Sequence, residues 1–176
     1  MDLRGVAEFF KDISKYLIVI VIVILLFVFI VGIQQVVGPS MEPTLNQGDV
    51  VIINKLIYKN VRGIKRNDIV IIQEEEKNMI KRIIGMPGDT IEYKDNFLYI
   101  NGEKYKESFL KDEVITEDFK LSDIGYEKIP DGYYLVLGDN RENSKDSRDF
   151  GLVNKKDIVG LAWIRIYPFN KIKFIK

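Results

Sequence analysis

No Asp, Glu, Lys or Arg occurs between Tyr16 and Met41. The core of this run, Leu17 to Ile33, is almost wholly Val, Ile, Leu and Phe. As a helix it would be roughly 26 Å long, the lower limit for crossing the hydrocarbon of a bilayer. A cleavable leader would have a shorter apolar core followed by small residues, whereas here Gln34-Gln35-Val36-Val37 follows. The run therefore predicts an uncleaved transmembrane helix over residues 16–36, after a short N-terminal segment, residues 1–15. Arg4, Lys11 and Lys15 precede it, and no Lys or Arg follows until Lys55. The positive-inside rule then places the N-terminus in the cytoplasm and residues 37–176 on the extracytoplasmic face of the plasma membrane, in a single pass. The lipid bilayer is one expected partner.

Lys+Arg and Asp+Glu are equal at 26 each, so no basic excess points to nucleic acid. The chain has no cysteine and no histidine. That excludes disulfides, thiol catalysis and the common zinc ligand sets. The acidic stretch Asp139 to Asp149 lacks the ligand spacing and central glycine of an EF-hand loop. Neither a metal nor another cofactor is expected.

Beyond residue 48 short apolar runs recur between turn signals. They are Val50–Ile53, Ile69–Ile72, Met79–Ile84, Thr90–Tyr93, Phe97–Ile100, Tyr133–Leu137 and Ile158–Tyr167. Asp95-Asn96 and Asn101-Gly102 stand at hairpin positions. The expected fold is mainly β: an N-terminal transmembrane helix, then a barrel-like catalytic domain over 37–176. The more polar stretch 103–128 reads as a small insertion, partly helical around Thr116 to Leu121.

Ser40 lies between Pro39 and Pro43, seven residues after Ile33. As a nucleophile it could not use imidazole, since the chain has none, and lysine is the natural substitute. Lys81 is the candidate base. Strand alternation over 79–84 places Met79, Lys81 and Ile83 on one face, where an ammonium is poorly solvated and its pKa falls. Arg82 faces the other way and cannot deprotonate. On these residues alone two plainer alternatives stay open: Lys81 as a solvated strand lysine, and Ser40 as a linker serine.

Three segments carry a resemblance. They are Ser40-Met41-Glu42-Pro43-Thr44 followed by Gly48-Asp49; Lys81-Arg82-Ile83-Ile84-Gly85-Met86-Pro87-Gly88-Asp89; and Gly138-Asp139-Asn140-Arg141-Glu142-Asn143-Ser144-Lys145-Asp146-Ser147-Arg148. In order and spacing they resemble the motif boxes of bacterial type I signal peptidases, of the single-anchor kind found in Gram-positive bacteria. The resemblance implies a membrane-bound serine endopeptidase that removes signal peptides from secretory precursor proteins. It implies that Ser40 attacks the scissile carbonyl, that Lys81 is the base, that Ser144 orients Lys81, and that Asp146 and Arg148 brace the loop. Some members of that family carry an oxyanion-binding serine where this chain has Gly38, which leaves the Ser40 N–H and the Gly38 region to hold the oxyanion. Met41 is expected to line a substrate pocket or touch lipid. Arg141, Glu142 and Lys145 read as parts of an exposed polar loop. Two competing readings are a non-catalytic, membrane-anchored peptide-binding module that retains the fold and a self-cleaving repressor protease. The intact Ser40, Lys81 and Ser144 set opposes the first. The second would need a DNA-binding N-terminal domain.

Overall fold

The computed structural model describes residues 3–56, 63–74 and 77–175, with the side chains of 3–10 and 26–29 excepted. Residues 1–2 of the expected cytoplasmic segment and Lys176 lie outside that set. Helix α1 runs Leu3–Ile30. Strand β1, Val31–Gln35, follows directly and pairs antiparallel with β2, Val50–Asn54. The uncharged run is thus divided, and a continuous helix over 16–36 is not what forms. Gly32 disfavours continuing the helix, the β-branched Val31 and Ile33 suit a strand, and β2 offers an apolar partner. Among the described residues no helix is long and apolar enough to cross a membrane.

The remaining strands are β3 (Ile69–Glu74), β4 (Lys77–Gly85), β5 (Ile91–Lys94), β6 (Phe97–Ile100), β7 (Glu103–Tyr105), β8 (Phe119–Lys120), β9 (Tyr133–Leu137), β10 (Val153–Asn154), β11 (Ile158–Tyr167) and β12 (Lys173–Phe174). They form two antiparallel sheets. The large one has the order β1-β2-β11-β3-β4-β9-β10, with β12 added to β11. That is an open path with two ends. The small sheet has the order β7-β6-β5-β8.

Both faces of the large sheet are covered. Val70 and Ile72 enter one apolar cluster with Ile83 and Val136, while Ile69 and Ile71 enter another with Met41, Leu45, Val51 and Ile80. A third cluster joins Leu135 and Leu137 to Ile91, Tyr93 and Leu98 of the small sheet. Two-sided burial explains why these strands read as unbroken apolar runs.

The two hairpin turns of the small sheet have the expected chemistry. Asp95 and Asn96 have φ of 51° and 65°, and Asn101 and Gly102 have 53° and 83°. Paired positive φ values match the right-handed twist of the flanking strands. The stretch 103–128 does more than insert. β7 and β8 form the two edges of the small sheet, and the helical piece is a single 3-10 turn at Leu121–Ile124, later than expected.

One charged cluster ties this stretch to the rest. Arg141, expected in an exposed loop, is 3% exposed. Its guanidinium donates to Glu107 Oε1 (2.6 Å), Thr116 Oγ1 (3.1 Å) and the Tyr93 hydroxyl (3.0 Å), and its Nε donates to the Gly138 carbonyl (3.0 Å). Burial pushes the Tyr93 phenol well above its ordinary 10.0, so it stays neutral and donates to Glu107 (2.9 Å). A loop rich in Asn and Asp looks solvated from sequence; Glu107, 34 residues away, supplies the carboxylate that lets Arg141 go inside. Glu107→Ala would leave the guanidinium buried without its carboxylate. The expected loss is about 3 kcal/mol of unfolding free energy, read by denaturant titration, with Arg141→Met costing less than Glu107→Ala.

Candidate active site

Ser40 sits in a tight loop closed at its base by Val36 N–H to the Asp49 carbonyl (2.8 Å) and Gly48 N–H to the Val36 carbonyl (3.0 Å). Within the loop, Glu42 N–H donates to the Pro39 carbonyl and Leu45 N–H to the Met41 carbonyl. Met41 and Leu45 turn inward and anchor the loop in the core. Met41 is 1% exposed, which excludes lipid contact at this side chain. It also lines a cavity of about 190 Å³ into which Ser40 and Lys81 both open. Gly38, on the same wall, has φ +83°, a conformation that favours glycine over serine at this position.

Lys81 lies in β4 between β3 and β9 and is 3% exposed. It shares its face with Met79 and Ile83, as alternation predicts. Its Nζ donates to Ser144 Oγ at 3.2 Å. Among the described residues no carboxylate is in ion-pair contact with it. Burial pushes its pKa below the ordinary 10.5. The nearby Asp146 carboxylate pulls it partly back up, and Arg148 pushes it down.

The loop after β9 brings the remaining predicted residues together. Asp146 is fully buried. Its carboxylate accepts from Gly138 N–H (3.0 Å) and Arg148 Nε (2.9 Å), and it caps the short helix α2, Ser147–Phe150. Arg148 Nη2 also donates to the Arg141 carbonyl (2.7 Å). Gly138 lies so close beneath Ser144 that an added Cβ would stand 2.6 Å from the Ser144 Cβ and would also strike the Ser40 carbonyl. Asn140 N–H donates to that carbonyl (3.0 Å), and Asn140 Nδ2 donates to the Pro39 carbonyl (3.2 Å). Among the described residues nothing accepts from the Ser40 N–H, which stays available as a donor. Glu142 and Lys145 are exposed, as expected for the loop.

Arg82, Asp139 and Thr44 form the part of the site that sequence reasoning left without a role. Arg82 is 1% exposed and makes a two-pronged ion pair with Asp139 (2.8 and 2.6 Å). Thr44 Oγ1 donates to the same carboxylate (2.5 Å), and the guanidinium lies 4.0 Å from the Phe109 ring centre. The available signal was an arginine inside an apolar strand, which demands a buried acid elsewhere.

This assembly places a serine and a buried lysine on one cavity in a chain without histidine. The chain belongs to the family described as signal peptidase, peptidase S26, whose model matches residues 9–167. It is 41% identical over 174 residues to signal peptidase I of Bacillus licheniformis, covering 93% of this chain and 91% of that protein. It is 39% identical over 180 residues to signal peptidase IB of Staphylococcus aureus, covering 93% and 94%. A crystal structure of a signal peptidase I from Enterococcus faecalis is similar at 35% identity and TM-score 0.52, covering 58% of this chain and 98% of that one. The chain is thus a peptide-bond hydrolase of this family.

A buried lysine without a carboxylate partner destabilises the fold while it is protonated. The unfolded chain holds that proton more tightly, so between the two pKa values it binds more protons and stability rises with pH. Lys81→Met is therefore expected to melt at a higher temperature than the parent at pH 6–7. The difference should shrink as pH approaches 10.5, and paired thermal melts across this range would read it.

Proposed function

We propose that this chain is a membrane-anchored endopeptidase that removes signal peptides from secretory precursors with a Ser40–Lys81 dyad. The observation that carries the proposal is the shared cavity of Ser40 and Lys81, with the lysine buried and its pKa lowered by burial. In this mechanism Ser40 Oγ bonds to the scissile carbonyl carbon as its proton passes to the neutral Lys81 amine. Lys81 then gives that proton to the leaving amine as the C–N bond breaks, leaving an ester on Ser40. Water, deprotonated by Lys81, releases the acid and restores the serine. Ser144 keeps the amine directed at Ser40. Asp146 and Arg148 hold the Ser144 loop, and the Ser40 N–H, beside Gly38, binds the oxyanion.

Anchoring is the second part of the proposal. The side chains of Leu17 to Leu25 project outward from α1 and are half-exposed or more. The uncharged helical part, residues 16–30, spans roughly 22 Å. Lys11 and Lys15, one turn apart on the N-terminal side, can extend the buried length by placing their amines at the cytoplasmic interface. A signal peptide holds its apolar core in the same bilayer and presents its small-residue cleavage site just outside. The chain is expected to remain in the membrane pellet after alkaline extraction, with residues 37–176 accessible to added protease only from the extracytoplasmic side.

Ser40→Ala and Lys81→Ala are each expected to lower cleavage of a secretory precursor at least about 10³-fold, with the circular dichroism spectrum unchanged. Cleavage by the parent should rise about tenfold per pH unit below the Lys81 pKa, then level off at a pH below 10.5. Full turnover by either variant, or a flat pH profile, would sink the mechanism.

A further inference from the structure

Lys145 stands beside the residues that the proposed mechanism uses, yet has no place in it. It follows Ser144, whose hydroxyl accepts from Lys81, and it lines the same cavity as Ser40 and Lys81. It is exposed, and among the described residues its ammonium makes no ion pair. No carboxylate lines the cavity: the polar wall consists of Gln35 and Asn78, and most of the rest is apolar. The carboxylates that act on Lys81, Asp146, Asp149 and Glu74, all lie outside the cavity lining. Asp146 is held by Arg148 and the Gly138 N–H, and Asp149 accepts from the Asp146 N–H. When Lys81 is neutral and reactive, Lys145 is the single full charge on the cavity lining.

We propose that Lys145 is a specificity-determining residue, which favours substrates with an acidic side chain next to the scissile bond and disfavours basic ones. The proposal rests on the reading of Ser40 and Lys81 given above. In an extended peptide, side chains alternate between faces. A cleavage site of the A-x-A type has small residues at −3 and −1. With these in the cavity, the side chains at −2 and +1 turn outward, where the long, exposed Lys145 side chain can reach them. A carboxylate there meets an unpaired ammonium, and a second ammonium meets like charge. Both effects act through solvent and weaken with salt.

The test uses the full chain in detergent micelles and synthetic precursor peptides that differ only in Asp, Asn or Lys at −2 or at +1. The quantity read is the ratio of kcat/KM for the Asp and Lys peptides, in which any general loss of activity cancels. At low salt the parent should prefer Asp about fivefold or more at one of these positions. The ratio should fall to about one in Lys145→Ala and Lys145→Gln, invert in Lys145→Glu, and collapse toward one for the parent in 1 M salt. If Lys145→Glu is inactive, the Ala and Gln variants carry the test. Equal ratios in the parent and the Lys145 variants would overturn the proposal while leaving the Ser40–Lys81 mechanism intact. Failure of the parent to cut any peptide would remove both.

Discussion

The site depends on the ion pair between Arg82 and Asp139. Three segments distant in sequence meet at this one carboxylate: β4 through Arg82, the loop after β9 through Asp139, and the Ser40 loop through Thr44. The same strand carries Lys81 on its opposite face, and residues 138 and 140 contact Ser144 and the Ser40 backbone. A slip of one residue in β4 would turn every side chain to the other face. In one direction Lys81 would stand against Asp139 and Ile80 at the cavity; in the other Arg82 would stand at the cavity and Ile83 against Asp139. The fork of a guanidinium matches a carboxylate in two parallel hydrogen bonds, and an ammonium cannot. The pair therefore sets the register that aims Lys81, whatever its net contribution to stability after desolvation.

The buried cations divide by chemistry. Arg82 and Arg141 are fully paired, each with its own carboxylate and further hydrogen bonds. Guanidinium cannot shed its proton at accessible pH, so burial without a partner would be prohibitive. Lys81 is buried with a serine hydroxyl as its polar contact. An amine can respond to desolvation by giving up its proton, and that response makes it a base. Asp146 raises the Lys81 pKa and Arg148 lowers it, Asp149 and Glu74 raise it further, and burial outweighs them.

Much of this was legible in the sequence, for physical reasons that also mark the limits. The hairpins at Asp95-Asn96 and Asn101-Gly102 were legible because few residues adopt paired positive φ. The strands of the two-sided sheet were legible as apolar runs, and the face of Lys81 followed from alternation. Strand β1 was hidden because Val31–Gln35 continues an apolar run, and composition alone cannot separate helix from strand there. β8 was hidden because it is two residues long and exists through its partner β5. The burial of Arg141 and the role of Arg82 depend on acids 34 and 57 residues away. Polarity of a loop predicts solvation only when no such partner folds onto it.

The hidden strand bears on how the enzyme would meet its substrate. Read as a helix over residues 16–36 followed by a linker, the chain would leave Ser40 free to range over roughly 14 Å. The structure leaves little of that freedom. The Ile30 carbonyl accepts from Lys55 N–H at 2.9 Å, and the next residue, Val31, already pairs with Asn54. Val36 then bonds to Asp49 and Gly48 at the base of the Ser40 loop. From the end of α1 to the loop, the backbone is tied to the sheet. With α1 as the proposed anchor, the height of Ser40 above the bilayer is set by strand geometry. A cleavage site placed at a fixed distance from an apolar core then meets a serine at a fixed height, so the bilayer serves as a common reference plane for both chains.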